Sequence, residues 1–139
     1  MAKPYDFAER LFAAVAARRA RPFKWGENDC ALFACDVLLE ATGQDFAAPF
    51  RGRYKSAVGA ARVLKKFAGG GLEETAEAIA RDHARPEVPP LKAQRGDMVL
   101  VETETGPALG VCLGEAAAVA GQEGTVMVPA RSWLRAWRV

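Results

Sequence analysis

Imidazole is almost missing from this chain. Among 139 residues there is one histidine, His83, and there are three cysteines, Cys30, Cys35 and Cys112. No two cysteines stand in a C-x-x-C spacing, and one imidazole cannot complete the usual zinc ligand sets, so neither a metal nor another cofactor is expected. An odd number of cysteines in a chain of cytosolic type argues against a disulfide framework, and Cys35 and Cys112, set in apolar runs, are expected as small buried side chains. An excess of charge is also missing. Nineteen basic residues face seventeen acidic ones for a net charge of +2, which gives nucleic acid or an anionic membrane no strong field to bind. Arg18, Arg19, Arg21 and Lys24 form a local basic cluster that reads as a solvated helix end. No run approaches the roughly 18 apolar residues of a membrane span. No apolar leader core follows Met1, so the chain is expected to be made in the cytoplasm without a cleaved signal. Membrane insertion is not expected.

What is present reads as one domain over 1–139, with helices first and strands after. Phe7, Leu11, Phe12, Val15 and Ala16 recur at three- and four-residue spacing and predict a helix over 5–19, stopped by Pro22. Asn28 or Asp29 is placed to cap a second helix that runs to Thr42, with Gly43 just past its end. On this helix Asp36 and Glu40 mark a wet stripe, and Cys30, Ala34, Val37 and Ala41 a dry one. A loop follows over 44–54, where Arg51, Arg53 and Tyr54 are expected to be solvated. A third helix is predicted over 55–67, with Val58, Ala61, Val63, Leu64 and Phe67 inside. A fourth runs from Leu72 to His83, where the histidine favours a helix C-terminus as a cation. Pro86, Pro89 and Pro90 make an extended connector. Short β runs follow at 98–101, 108–113, 116–120, 125–128 and 134–139, with turns at Thr105-Gly106-Pro107 and Gly121–Gly124. Trp133 and Trp137 are expected to pack in the core or on an edge strand. The class is α+β, a helical half packed on an antiparallel sheet.

The run Trp25-Gly26-Glu27-Asn28-Asp29-Cys30 carries the most chemical information. It sets a thiol at the start of a helix, where the positive end of the helix dipole favours a thiolate and predicts a depressed pKa. Asp29 is the cap in this reading. Further on, Gly96-Asp97 opens a strand, with Asp97 holding a backbone turn.

In this order the chain resembles the NlpC-type cysteine peptidases of the papain-like superfamily, above all the small relatives carried in phage and prophage tail modules. Trp25 to Cys30 looks like their nucleophile motif, and Arg95-Gly96-Asp97-Met98-Val99 like the Gly-Asp that opens their first strand. Ala108-Leu109-Gly110-Val111-Cys112-Leu113-Gly114 looks like their second strand. The resemblance implies a papain-like fold with Cys30 at the nucleophile position. It also shows a departure. The general base of the family falls on Ala108, and the run Ala116 to Ala120, where a further polar residue is usual, is apolar. A positioned acid–base group supplies about 10²–10⁴ in rate. The resemblance with this departure implies a structural or assembly component of a phage-type tail tip without hydrolase activity. Its expected partners are other tail or baseplate proteins and peptidoglycan, within a virion or phage-like particle. Two alternatives stand beside it. One is a peptidoglycan stem-peptide endopeptidase that uses Cys30 with an unidentified base. The other is an unrelated binding module in which Cys30 is a small buried residue.

Overall fold

Glycine and proline punctuation divides the chain into the elements seen in the computed structural model, which describes residues 3–139. Met1 and Ala2, where the expected leaderless start opens, lie outside the described residues. Four helices come first: α1 (Phe7–Ala17), α2 (Leu32–Thr42), α3 (Ala57–Ala68) and α4 (Leu72–Asp82). Six strands follow: β1 (Glu87–Val88), β2 (Met98–Thr103), β3 (Gly106–Cys112), β4 (Ala116–Gly121), β5 (Gly124–Pro129) and β6 (Trp133–Trp137). They form one antiparallel sheet in the order β1-β6-β2-β3-β4-β5. The α+β class with helices N-terminal and strands C-terminal is as expected.

The two sheet faces are both apolar because strand side chains alternate between them. Met98, Leu100, Leu109, Val111, Ala118 and Trp137 join the helical core, around Phe33, Leu38 and Ile79. Val99, Val101, Ala108, Val119, Val128 and Trp133 build a second core on the far face, covered by Val88, Ala93 and Ala130. The Trp133 indole N–H donates to the Val128 carbonyl at 3.0 Å, which satisfies its polar edge inside that core. Both tryptophans are buried, as the packing reading expected.

Several expectations are corrected. Phe12 and Val58 are 42% and 69% exposed, and Ala16 and Ala61 are exposed too, because α1 buries the stripe Phe7, Leu11, Ala14 and α3 buries Ala60 and Leu64. Ser56, not residue 55, opens α3, with its hydroxyl accepting from the Gly59 N–H at 3.0 Å. The 44–54 loop is not a solvated one. Tyr54 is buried, Arg51 holds Asp45 through two hydrogen bonds and pairs with Asp36 at 2.6 Å, and Arg53 alone of the three stays exposed. Asp36 is therefore half-buried against Arg51 and not a wet marker. Arg18 leaves the expected solvated cluster. It is buried, donates to the Ala14 carbonyl at 2.8 Å and pairs with Glu40. In the proline connector, Glu87 and Val88 pair with β6, and Arg135 on β6 ties Glu87 to Glu73 and Glu77 of α4.

The sheet margins are interrupted, with Met127 the outward donor of β5 left open among the described residues. β1 is two residues long. On β5 the outward N–H of Thr125 donates to the Arg19 carbonyl at 3.0 Å, and Pro129 has no N–H to give.

Candidate functional site

The motif around Cys30 is built by backbone bonding. Lys24 and Asn28 exchange backbone hydrogen bonds of 2.9 Å in both directions, closing a turn through Gly26. Gly26 sits at φ +83°, and a Cβ there would lie 2.3 Å from the Tyr54 carbonyl oxygen, so only glycine fits. The Asn28 side-chain amide donates to the carbonyls of Arg21 and Pro22, which fixes the loop before the turn.

Asp29 is fully buried and its carboxylate is saturated. Oδ1 accepts the N–H groups of Ala31 and Leu32 at 3.0 and 2.9 Å. Oδ2 accepts the Gly26 N–H at 2.9 Å and the Tyr54 hydroxyl at 2.8 Å. It therefore caps α2, as expected. The helix itself begins at Leu32, so Cys30 lies in the turn before it and not in its first turn. Gly43 closes the other end at φ +83°.

The sheet splits beside Cys30. β3 and β4 pair only at Val111↔Ala118 and Cys112↔Ala117. Two residues further, at the next hydrogen-bonded position, the register would join Leu109 to Ala120. Instead the Leu109 N–H donates to the Cys30 carbonyl at 2.8 Å, so the segment before α2 wedges the two strands apart. Gly110 makes the pivot, since a Cβ there would lie 2.5 Å from the Ala118 carbonyl oxygen.

The split opens a cleft of about 550 Å³. Cys30, Ala108 and Ala120 all line it, together with Trp25, Lys55 and Gln122. The nucleophile position and the base position inferred from sequence thus border one cavity. Neither imidazole nor carboxylate is among its lining residues. His83 lies elsewhere: it follows α4 as its cap residue and packs edge-on against Phe46, with ring centroids 4.6 Å apart. Gly96 and Asp97 are also away from the cleft. The buried Asp97 carboxylate accepts the Gln94 N–H at 2.8 Å, which is the expected turn, and also Arg138 Nε at 3.0 Å and the Val139 N–H at 3.1 Å.

The expected thiolate is overturned. Burial first, then the neighbouring Asp29 carboxylate, push the Cys30 thiol from its ordinary 9.0 up to about 12. The hydrogen bond from its own backbone N–H lowers it and does not offset both. Cys35, Cys112 and the Tyr54 phenol are also pushed up, chiefly by burial. All four hold their protons more tightly folded than unfolded. Their contribution to stability is intact below the ordinary values of about 8.5–10 and is lost as pH rises toward the folded ones. Thermal midpoints followed by circular dichroism should therefore fall steeply above about pH 9, with a shallower fall in Cys30→Ala. A profile flat to pH 11 would contradict the burial of these groups.

Among the described residues no group of three or more His, Cys, Asp or Glu is placed to hold a metal ion, and no helix is long and apolar enough to cross a membrane. Sequence reasoning missed the Tyr54 contact with Asp29, and Lys55 and the Thr103 to Pro107 turn as neighbours of Cys30, because loop residues carry no periodic signal. No curated protein matches this chain. A family model does match, over residues 2–139, and the chain belongs to that family, described as a domain of unknown function, DUF6950.

Proposed function

We propose that this protein is a non-hydrolytic relative of the papain-like, NlpC-type cysteine peptidases that serves as an assembly component of a phage-type tail tip. One observation carries the non-hydrolytic part. Cys30 and Ala108 border the same cleft, and its lining holds no imidazole or carboxylate, the groups that serve the thiol as base and the leaving amine as acid in this superfamily. The bonding of the motif supports the same reading. Gly26, Asn28 and Asp29 are all spent on holding the turn and capping α2. The tail assignment rests on the three motifs in their order along the chain.

The test has two arms. Incubated with peptidoglycan and with free stem peptides, the protein should release no new amino groups above background, and Cys30→Ala should behave identically. Cleavage that disappears in Cys30→Ala would establish the hydrolase reading, which the position of Cys30 on an open cleft favours. Mixed with the products of the flanking genes, the chain should co-elute with at least one of them. Elution as a lone monomer from every mixture would overturn the assembly role.

A further inference from the structure

The cleft has a polar character that the lost chemistry does not account for. Lys24 and Lys55 stand on its wall and no acidic residue lines it. Lys55 makes no ion pair among the described residues, and Lys24 meets only Glu27, an exposed contact of 3.3 Å. Phe23 and Trp25 pack edge to face beside them, ring centroids 5.0 Å apart, and Pro107 and Ala108 add an apolar opposite side. Of the acids beside its lining in sequence, Asp29 is buried and fully hydrogen-bonded, Glu102 and Glu104 line the neighbouring groove over β5, and Glu123 lines a shallow groove beyond the β4–β5 turn.

The floor is an interrupted ladder. β4 and β5 close through Gly121↔Gly124, so hydrogen-bonded pairs alternate at Gly121 and Val119. The N–H and C=O of Ala120 then point away from β5, toward β3. Their register partner, Leu109, has given its N–H to Cys30. Ala120 lines the cleft, and its N–H and C=O have no partner among the described residues. A free strand edge recognises an extended backbone, and pockets beside it select side chains.

We propose that the cleft seats an extended acidic segment of a partner protein, whose backbone pairs with Ala120 while its carboxylates meet Lys24 and Lys55. This rests on the assembly reading above and names the chemistry of the partner. A small free anion would meet the lysines but leave the strand edge unused.

Two capped peptides test it on the full chain: acetyl-Ala-Leu-Asp-Glu-Ala-amide and acetyl-Ala-Leu-Lys-Lys-Ala-amide, titrated by calorimetry. The acidic peptide should bind at least tenfold more tightly, and raising salt from about 0.05 to about 0.5 M should weaken it severalfold. Lys55→Glu, at an exposed position, should cost about tenfold. Ala120→Pro should abolish binding, because it removes the N–H. Should that variant fail to fold, N-methylation along the peptide serves instead, with one position losing at least tenfold. Equal binding of the two peptides, binding of acetate or phosphate as tight as the acidic peptide, or indifference to N-methylation would each overturn the proposal. Mass spectrometry of the bound peptide separates the two readings. A cleaved peptide overturns the non-hydrolytic assignment and leaves the cleft proposal standing. An unbound, intact peptide does the reverse.

Discussion

Replacing Asp29 by alanine should cost about 3–5 kcal/mol of folding stability, since a buried, fully hydrogen-bonded carboxylate is removed from four donors at once. The Ala31 and Leu32 N–H groups lose their cap, worth about 0.5–2 kcal/mol by itself. The Gly26 N–H and the Tyr54 hydroxyl are stranded in a dry site, and each stranded donor costs about 1–3 kcal/mol. Those donors come from the turn, from α2 and from the end of the 44–54 loop, so the variant loosens three segments together. Chemical denaturation measures the loss. Asp29→Asn separates cap from charge. It keeps one acceptor for α2 but turns an N–H₂ toward Gly26, and should fall between the two. In that variant the Cys30 thiol also loses its like-charged neighbour and should react faster with iodoacetamide at pH 8–9 than in the parent. A stability loss under about 1 kcal/mol in Asp29→Ala would mean that the motif is not the structural element described here.

Asp97→Ala should be comparably severe, at about 3–5 kcal/mol, because it strands the Gln94 and Val139 N–H groups at a fully buried site and also takes the partner from Arg138. The carboxylate joins the turn before β2 to the residues after β6, and Arg138 in turn gives its N–H to the Pro86 carbonyl at 2.8 Å. For a domain of this size the loss corresponds to a fall in the melting temperature of roughly 10–20 °C. Hydrogen exchange gives a signature that general destabilisation would not: the amides of Gln94 and Val139 should lose protection before those of β3 and α2. Uniform loss of protection would show that Asp97 acts through packing alone.

The layout of this fold was legible because glycine and proline mark its breaks. Gly43 and Gly69 end helices in left-handed conformations, and the alternating apolar runs after Gly96 became strands. Asp29 as a cap and Asp97 as a turn holder were legible too, since short acidic side chains at those positions have few other uses. Tyr54 was not. It reaches back 25 residues to Asp29, and no local pattern announces a contact of that range. Nor was the split between β3 and β4, since Leu109 and Ala120 look fit to pair. The thiol was misjudged for a related reason. The helix end is visible in sequence, but the burial that outweighs it belongs to the packed molecule.

The truncated β1 and the interrupted outer edge of β5 have a consequence for how the molecule could aggregate. Fibril growth needs a run of open main-chain groups on which a second chain can lay itself down. On β5 the bonded Thr125 and the proline at 129 leave Met127 as the one outward donor still open among the described residues, and the gap at Ala120 is one residue deep inside a cleft. A folded population therefore offers a second chain only a short and interrupted template. Fibril formation should accordingly speed up in variants that unfold faster, such as Asp29→Ala, more than with the concentration of folded protein.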